Sequence, residues 1–143
     1  MICLSRSLVA DLVRHLEAHY PREACGVFLG IKGEPDRVTG IRAIANLNTE
    51  RAHDRYEMDP AGLLAAEKEA RGLGVAVIGV WHSHPDHPAR PSPTDLERAW
   101  PAYAYLIASI REGRAAEWTC WTLNGDGTAF TPMIVKLVDR VVS

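Results

Sequence analysis

Apolar residues return at helical spacing over the first stretch of the chain, where Leu8, Val9, Leu12, Val13 and Leu16 share one face. Ser5 or Ser7 is available as N-cap and Pro21 as the stop, so the pattern predicts an amphipathic helix. From Ala24 to Ile31 the residues ACGVFLGI form a short apolar run, which predicts a buried strand. A turn at Lys32-Gly33-Glu34-Pro35 leads into a second strand from Arg37 to Asn46, completing a hairpin. After a polar stretch from Asn46 to Arg55, an extended RYEM piece precedes Asp59-Pro60, an N-cap followed by proline at the first helical position. The helix it opens runs to about Arg71 and is closed by Gly72 and Gly74. Val75 to Trp81 is nearly all apolar and β-branched, predicting a central strand covered on both faces that ends directly at His82.

Residues 85 to 93 carry four of the nine prolines and predict a stiff irregular loop. Ser92-Pro93-Thr94-Asp95 then opens a short helix that ends before Pro101. Tyr103 to Ile110, Glu117 to Leu123 and Thr128 to Leu137 complete the chain as strands, with Asn124-Gly125-Asp126-Gly127 as a turn. The order of elements predicts an α+β domain, a mixed central sheet flanked by helices.

At 143 residues and 47% hydrophobic composition, one domain with a single core is the expectation. The formal net charge of −2 comes from scattered acids and bases, so no basic stripe invites nucleic acid. Cys3, Cys25 and Cys120 lack CxxC spacing and lie in apolar surroundings, as packing thiols in a reducing compartment do. No apolar run suits a signal peptide or approaches the roughly 20 residues that span a bilayer, so a cytoplasmic protein without membrane partners is expected. The oligomeric state stays open, a homodimer included.

The chemistry gathers at His82-Ser83-His84. In extended backbone the two imidazoles point to the same side about 6.5–7 Å apart at Cα, close enough to share one metal ion, although one packed and one solvated histidine would satisfy the same pattern. Ser92-x-x-Asp95 reads in isolation as a capping box. The proline-stiffened loop can also return Asp95 to the strand end, and two histidines with one carboxylate leave the open fourth position of catalytic zinc. Hydrolysis of an amide further needs a proton-transferring group. Glu23, at the junction between the first helix and a buried strand, is the candidate, with an ordinary turn glutamate as the alternative.

Glu23, His82-x-His84-Pro85, six residues, then Ser92-x-x-Asp95 resembles the JAMM motif of the MPN-plus (Mov34/Pad1-type) metalloproteases, and the likeness runs from EACGVFLG through RPSPTDLERAW. The resemblance implies one zinc on His82, His84 and Asp95, Glu23 as general base and acid, and Ser92 as a stabiliser of the oxyanion. It implies a cytidine-deaminase-like fold, a three-layer arrangement with a curved sheet between helices. It is strongest to short prokaryotic members, which cleave after the Gly-Gly tail of ubiquitin-like sulfur carriers or release an amino acid joined to such a tail. The substrate-binding residues are not legible, and residues 46 to 58 are one conjectured docking edge.

Three rivals stand beside this reading. A zinc nucleobase deaminase needs HxE with PCxxC, which the chain lacks. A RadC-type interaction module carries a similar HxHP and SxxD pattern, and a small-molecule amidase or peptidase would use the same site. Other residues carry less: His87 could approach the metal but is expected to be an exposed loop residue, His15 and His19 a solvated helix face, Trp81 and Trp100 core packing by default although they could wall the cleft, and Cys25 no nucleophile.

Overall fold

Ser5 caps the first helix, its Oγ accepting the Leu8 amide at 3.2 Å. In the computed structural model, which describes residues 1–51 and 56–141, the four residues before that helix are a strand, β1 (Ile2–Ser5), which the sequence reading had merged with α1 (Arg6–His19). Leu12 and Leu16 are buried, each stabilising by about 1.5–3 kcal/mol relative to exposure. The helix stops at Tyr20, before Pro21. β2 (Cys25–Ile31) and β3 (Asp36–Ile44) form the expected antiparallel hairpin. Asp36 fixes its turn by taking the Gly33 amide and the Lys32 ammonium.

Beyond β3 the chain returns through a single bridge between Asn46 and Met58, and the start of the RYEM piece, Arg55, lies outside the described residues. Asp59 caps α2 (Pro60–Gly72). β4 (Ala76–Pro85) corrects the expectation of a strand stopping at His82: the ladder with β5 (Ala104–Arg111) continues through His82, Ser83, His84 and Pro85, so both histidines sit on paired backbone. The short helix α3 (Pro93–Arg98) lies between these two strands in the chain. β6 (Arg114–Leu123) starts earlier than expected because Glu112 and Gly113, both at positive φ, make a tight turn after β5.

The largest departure is at the C-terminal end. The single strand expected from Thr128 to Leu137 is two, β7 (Phe130–Pro132) and β8 (Val135–Val138), and they lie at opposite edges of one eight-stranded mixed sheet ordered β7-β6-β5-β4-β2-β3-β1-β8. Only Met133 and Ile134 separate them, yet Met133 N–H donates to Cys120 of β6 while Ile134 carbonyl accepts from Ile2 of β1, each at 2.9 Å. Two consecutive residues can reach both edges only if the sheet curls until the edges nearly meet. Proline at 132 suits the break, since it offers no ladder donor.

Side chains alternate across this curled sheet. Phe28, Ile78, Trp81 and Leu106 pack with Leu12 and Leu16 of α1 on one face, and Val27, Leu29 and Val80 pack with Ala66 and Ala70 of α2 on the other. Trp81 is core as expected, with its indole N–H donating to the Val27 carbonyl at 3.0 Å. The architecture is α+β, a curved mixed sheet between helices.

Gly26 lies under Trp81: a Cβ there would stand 2.1 Å from the indole ring and 2.3 Å from the Arg42 carbonyl. Gly26→Ala is therefore expected to destabilise by about 3 kcal/mol. Gly72→Ala, at the end of α2 with nothing within 4 Å, should be neutral or stabilise by up to about 1 kcal/mol. Urea denaturation of both variants checks the contrast.

Candidate functional site

The register of β2 on β4 places the site. Val27 faces Val80 and Cys25 faces His82. One step further Ser83 N–H donates to the Ala24 carbonyl at 3.0 Å, and the Ala24 amide donates to Ser83 Oγ at 2.9 Å. Continuing that register sets Glu23 across from His84, on the face shared by His82. A Glu23 carboxylate oxygen and a ring nitrogen of each histidine all lie within 4.8 Å of one another. Glu23 is buried, and its carbonyl accepts from the Asn46 amide nitrogen at 3.0 Å.

Asp95 arrives from α3. His82 Nε2 and His84 Nε2 are 3.1 Å apart, Asp95 Oδ1 is 3.3 Å from the first and Oδ2 is 3.2 Å from the second. Lone pairs facing one another this closely in a buried site need a proton or a cation between them. The edge of a tetrahedron with zinc bonds of about 2.0–2.1 Å is about 3.3–3.4 Å, so each of these separations, made to the two different oxygens of Asp95, is close to what a metal of that size needs, and the donor set of two imidazoles and a carboxylate suits it.

Each of these side chains is held from behind. The His84 Nδ1 lies 2.8 Å from the Pro88 carbonyl, which fixes the proton on Nδ1 and turns the Nε2 lone pair inward. The His82 Nδ1 is buried without a hydrogen-bond partner among the described residues, and its ring is held instead by stacking on Tyr56, centroids 4.5 Å apart at 30°. Asp95 is held by the capping box: Ser92 Oγ accepts the Asp95 amide at 3.0 Å and Asp95 Oδ2 accepts the Ser92 amide at 2.8 Å.

Electrostatics follow from these contacts. Burial opposes ionisation of Asp95, but His82, His84 and the Ser92 amide outweigh it and hold the carboxyl well below the usual carboxylate range. Burial lowers the pKa of His82. For His84 burial acts in the same sense, yet the Asp95 carboxylate and the Pro88 carbonyl reverse it, and the pKa is raised.

All five residues singled out in the sequence, Glu23, His82, His84, Ser92 and Asp95, therefore meet in one place. His87 is exposed, as expected, while His15 departs from the expectation of a solvated face by packing edge-on against Trp81. Cys25 is a buried thiol pushed up to about 12 by burial and by Glu23, in keeping with no nucleophilic role. Trp100, expected in the core, is 52% exposed and walls a cavity instead.

Several residues of the site escaped the sequence reading. Tyr56 belonged to a piece read only as extended. Ser83 was passed over between the histidines, although a hydroxyl facing the core of a central strand must find a partner. Three polar residues of β5 and β6 hold the loop that carries the Pro88 carbonyl: Ser109 Oγ donates to His87 O at 2.6 Å, Thr119 Oγ1 to Ala89 O at 2.5 Å, and Glu117 Oε1 accepts the Ala89 amide at 3.2 Å.

Two larger clefts lie beside the site, and a smaller one, of about 150 Å³, is lined by His15, His19, Glu23 and Asn46 among others. One of the larger two, of about 490 Å³, is lined by Tyr56, Met58, Leu63, Val80, Trp100 and Tyr103 among others. The other, also about 490 Å³, is lined by Glu23, His84, His87, Arg90, Ser92 and Thr94 with the loop prolines.

The chain is similar to known proteins over most of its length. The family model described as prokaryotic homologs of the JAB domain matches residues 5–124. A desampylase of Haloferax volcanii is 39% identical over 102 residues, 69% of this chain and 71% of the relative. A CysO-cysteine peptidase of Mycobacterium tuberculosis is 31% identical over 113 residues, 78% of this chain and 75% of the relative. A solution structure of a protein from Desulfitobacterium hafniense matches with a TM-score of 0.84 at 29% identity, covering 98% of this chain and 94% of its own.

Ser83→Ala leaves the buried Ala24 amide without its acceptor. It is expected to destabilise by about 1–3 kcal/mol, read from the midpoint of urea unfolding.

Proposed function

Because the chain belongs to the family of prokaryotic JAB-domain proteins, we propose that it is a zinc-dependent peptidase that hydrolyses the amide bond after the Gly-Gly tail of a ubiquitin-like or sulfur-carrier protein. The observation that carries this reading is the cluster of His82, His84 and Asp95, in which the two Nε2 atoms lie 3.1 Å apart and Asp95 places one oxygen 3.3 Å from the first and the other 3.2 Å from the second, with Glu23 beside it. These three residues would hold one zinc per chain. Zinc in such a site acts as a Lewis acid and brings the pKa of a water to about 7.

The chain's own residues supply the rest. Glu23 takes a proton from the water that attacks the carbonyl carbon and passes it to the departing nitrogen, so that amide and water become a carboxylate and an amine. Ser92 Oγ accepts the Asp95 amide, which leaves its O–H free to donate to the oxygen on which charge develops. The aromatic-walled cleft beside Tyr56 suits an extended tail, which can lie along residues 56–58 and bond to their backbone. A module that only binds partners would have no need of a buried glutamate aimed at two histidines. No helix of the described residues is long and apolar enough to cross a membrane, and free thiols at Cys3, Cys25 and Cys120 suit the cytoplasm.

The test is a ubiquitin-like carrier extended beyond its Gly-Gly end, offered to zinc-loaded protein, to chelator-treated protein and to variants. Cleavage is expected only with zinc. Glu23→Gln should lower turnover by at least about 10³-fold while binding zinc normally, and His84→Ala should lose the metal. Turnover retained in Glu23→Gln would sink the mechanism.

The loop anchors generate a second expectation. Thr119→Val frees Ala89 and with it the Pro88 carbonyl behind His84, so zinc affinity should fall about 10–100-fold. Titration calorimetry reads this, and Thr119→Ser should restore it.

A further inference from the structure

Two histidines of α1 stand outside the function proposed above. His15 and His19 are four residues apart, so one helical turn carries both on the same face. Their ring centroids are 4.3 Å apart with the planes tilted by 45°. For the pair on β4, His82 and His84, the same quantities are 5.0 Å and 55°. Two imidazoles that share one ion through bonds of about 2.0–2.1 Å have centroids about 4.5–5 Å apart, so a shift of a few tenths of an ångström brings the helical pair to chelating distance.

Both rings are held, and both keep a nitrogen for a ligand. His19 Nδ1 donates to the His15 carbonyl at 3.0 Å, which puts the proton on Nδ1 and leaves the Nε2 lone pair open. His15 stands edge-on against Trp81, centroids 5.4 Å apart at 83°, and neither of its ring nitrogens has a hydrogen-bond partner among the described residues. Burial and the neighbouring His19 lower the pKa of His15, so its imidazole is neutral at pH 7 and able to act as a ligand.

The pair opens on the small cavity of about 150 Å³, and Glu23 is the one acid on its wall. Glu23 is also the single residue that this cavity shares with the cleft of His84 and Ser92. It therefore stands as a partition, with the site of hydrolysis on one side and the two helical imidazoles on the other. A divalent charge on the helical side competes for the carboxylate that the attacking water needs.

We propose that His15 and His19 are an outer site for a divalent ion of the zinc or copper(II) class, completed by water, and that an ion held there inhibits hydrolysis by drawing the Glu23 carboxylate out of its proton-transferring position. Imidazole donors select these ions over calcium and magnesium. Two protein ligands bind more weakly than the inner three, so the outer site fills only when free metal exceeds what the inner site takes. The ion binding stands on the geometry of α1 alone, whereas the inhibition rests on the zinc-peptidase reading.

The experiment starts from protein carrying one zinc per chain, as wild type and as His19→Gln, a position whose side chain is exposed. Calorimetric titration with further zinc is expected to show a second, weaker ion in the wild type, its affinity at least about tenfold lower in His19→Gln. One equivalent of copper(II) added to the zinc-loaded wild type should give an EPR spectrum with two coupled imidazole nitrogens, reduced to one in His19→Gln. Cleavage of a carrier tail should fall as further zinc is added, with a midpoint at the calorimetric Kd. His19→Gln should keep the full basal rate and need at least about tenfold more zinc for the same loss. No second ion in the wild type, or a second ion and a copper spectrum that His19→Gln leaves unchanged, overturns the outer site. A second ion that His19→Gln removes but that leaves wild-type turnover untouched overturns the inhibition. If the zinc-loaded wild type cuts no carrier tail, the hydrolase reading falls and the inhibition with it, while the ion count and the copper spectrum still decide the outer site.

Discussion

Everything at the site depends on how the start of β2 is tied to the end of β4. The two hydrogen bonds between Ala24 and Ser83, one from each backbone amide, extend the ladder past the last paired strand residue of β2. Without them Glu23 would lie in a free turn between α1 and the sheet. With them it is a cross-strand neighbour of His84, on the same face as His82, and its distance from both imidazoles is set by strand spacing. Ser83 does this from the opposite face, because alternation sends its side chain to one face of the sheet and both histidines to the other. One serine at the middle of HSH thus couples Glu23 to the two histidines.

The second support is the loop after Pro85. A loop of limited length and high proline content must carry the chain away from the strand end and return it at Ser92. It does so against β5 and β6, whose Ser109, Glu117 and Thr119 bond its backbone at His87 and Ala89. The Pro88 carbonyl between those anchors orients His84.

The helices, the β2–β3 hairpin and the five clustered residues were legible because each rests on local rules: 3.6- or 2-residue alternation, a serine cap, prolines, a motif with fixed spacing. What was not legible depends on tertiary pairing. The run from Thr128 to Leu137 is uniformly compatible with a strand, and nothing local says that Pro132 ends one edge of the sheet while Val135 begins the other. That division follows from the curl of the whole sheet. β1 is four residues long and pairs only with strands distant in sequence, so it merged with the helix signal. The end of β4 was set too early because polar residues usually mark a strand's exit, whereas here the parallel ladder to β5 continues beneath them. Ser83, Ser109 and Thr119 looked ordinary for a related reason. A hydroxyl's partner is chosen by the fold, and the sequence shows only the hydroxyl.

Asp95 shows why two readings of a motif need not compete. Ser92-x-x-Asp95 is both a capping box and the piece that brings a carboxylate to the two histidines, and the same Oδ2 faces the Ser92 amide at 2.8 Å and His84 at 3.2 Å. The helix it caps has six residues, none of them fully buried, so it draws little stability from packing and is too short to persist by propensity. Its order comes from the capping box, from Pro93 in the first turn and from the Arg98 bond to the Tyr56 carbonyl. The same cap fixes the rotamer that turns the Asp95 carboxylate toward His82 and His84. Tyr56, bonded through its carbonyl to α3 and stacked by its ring on His82, closes the circuit, so the wall of the aromatic cleft is tied to the same cluster.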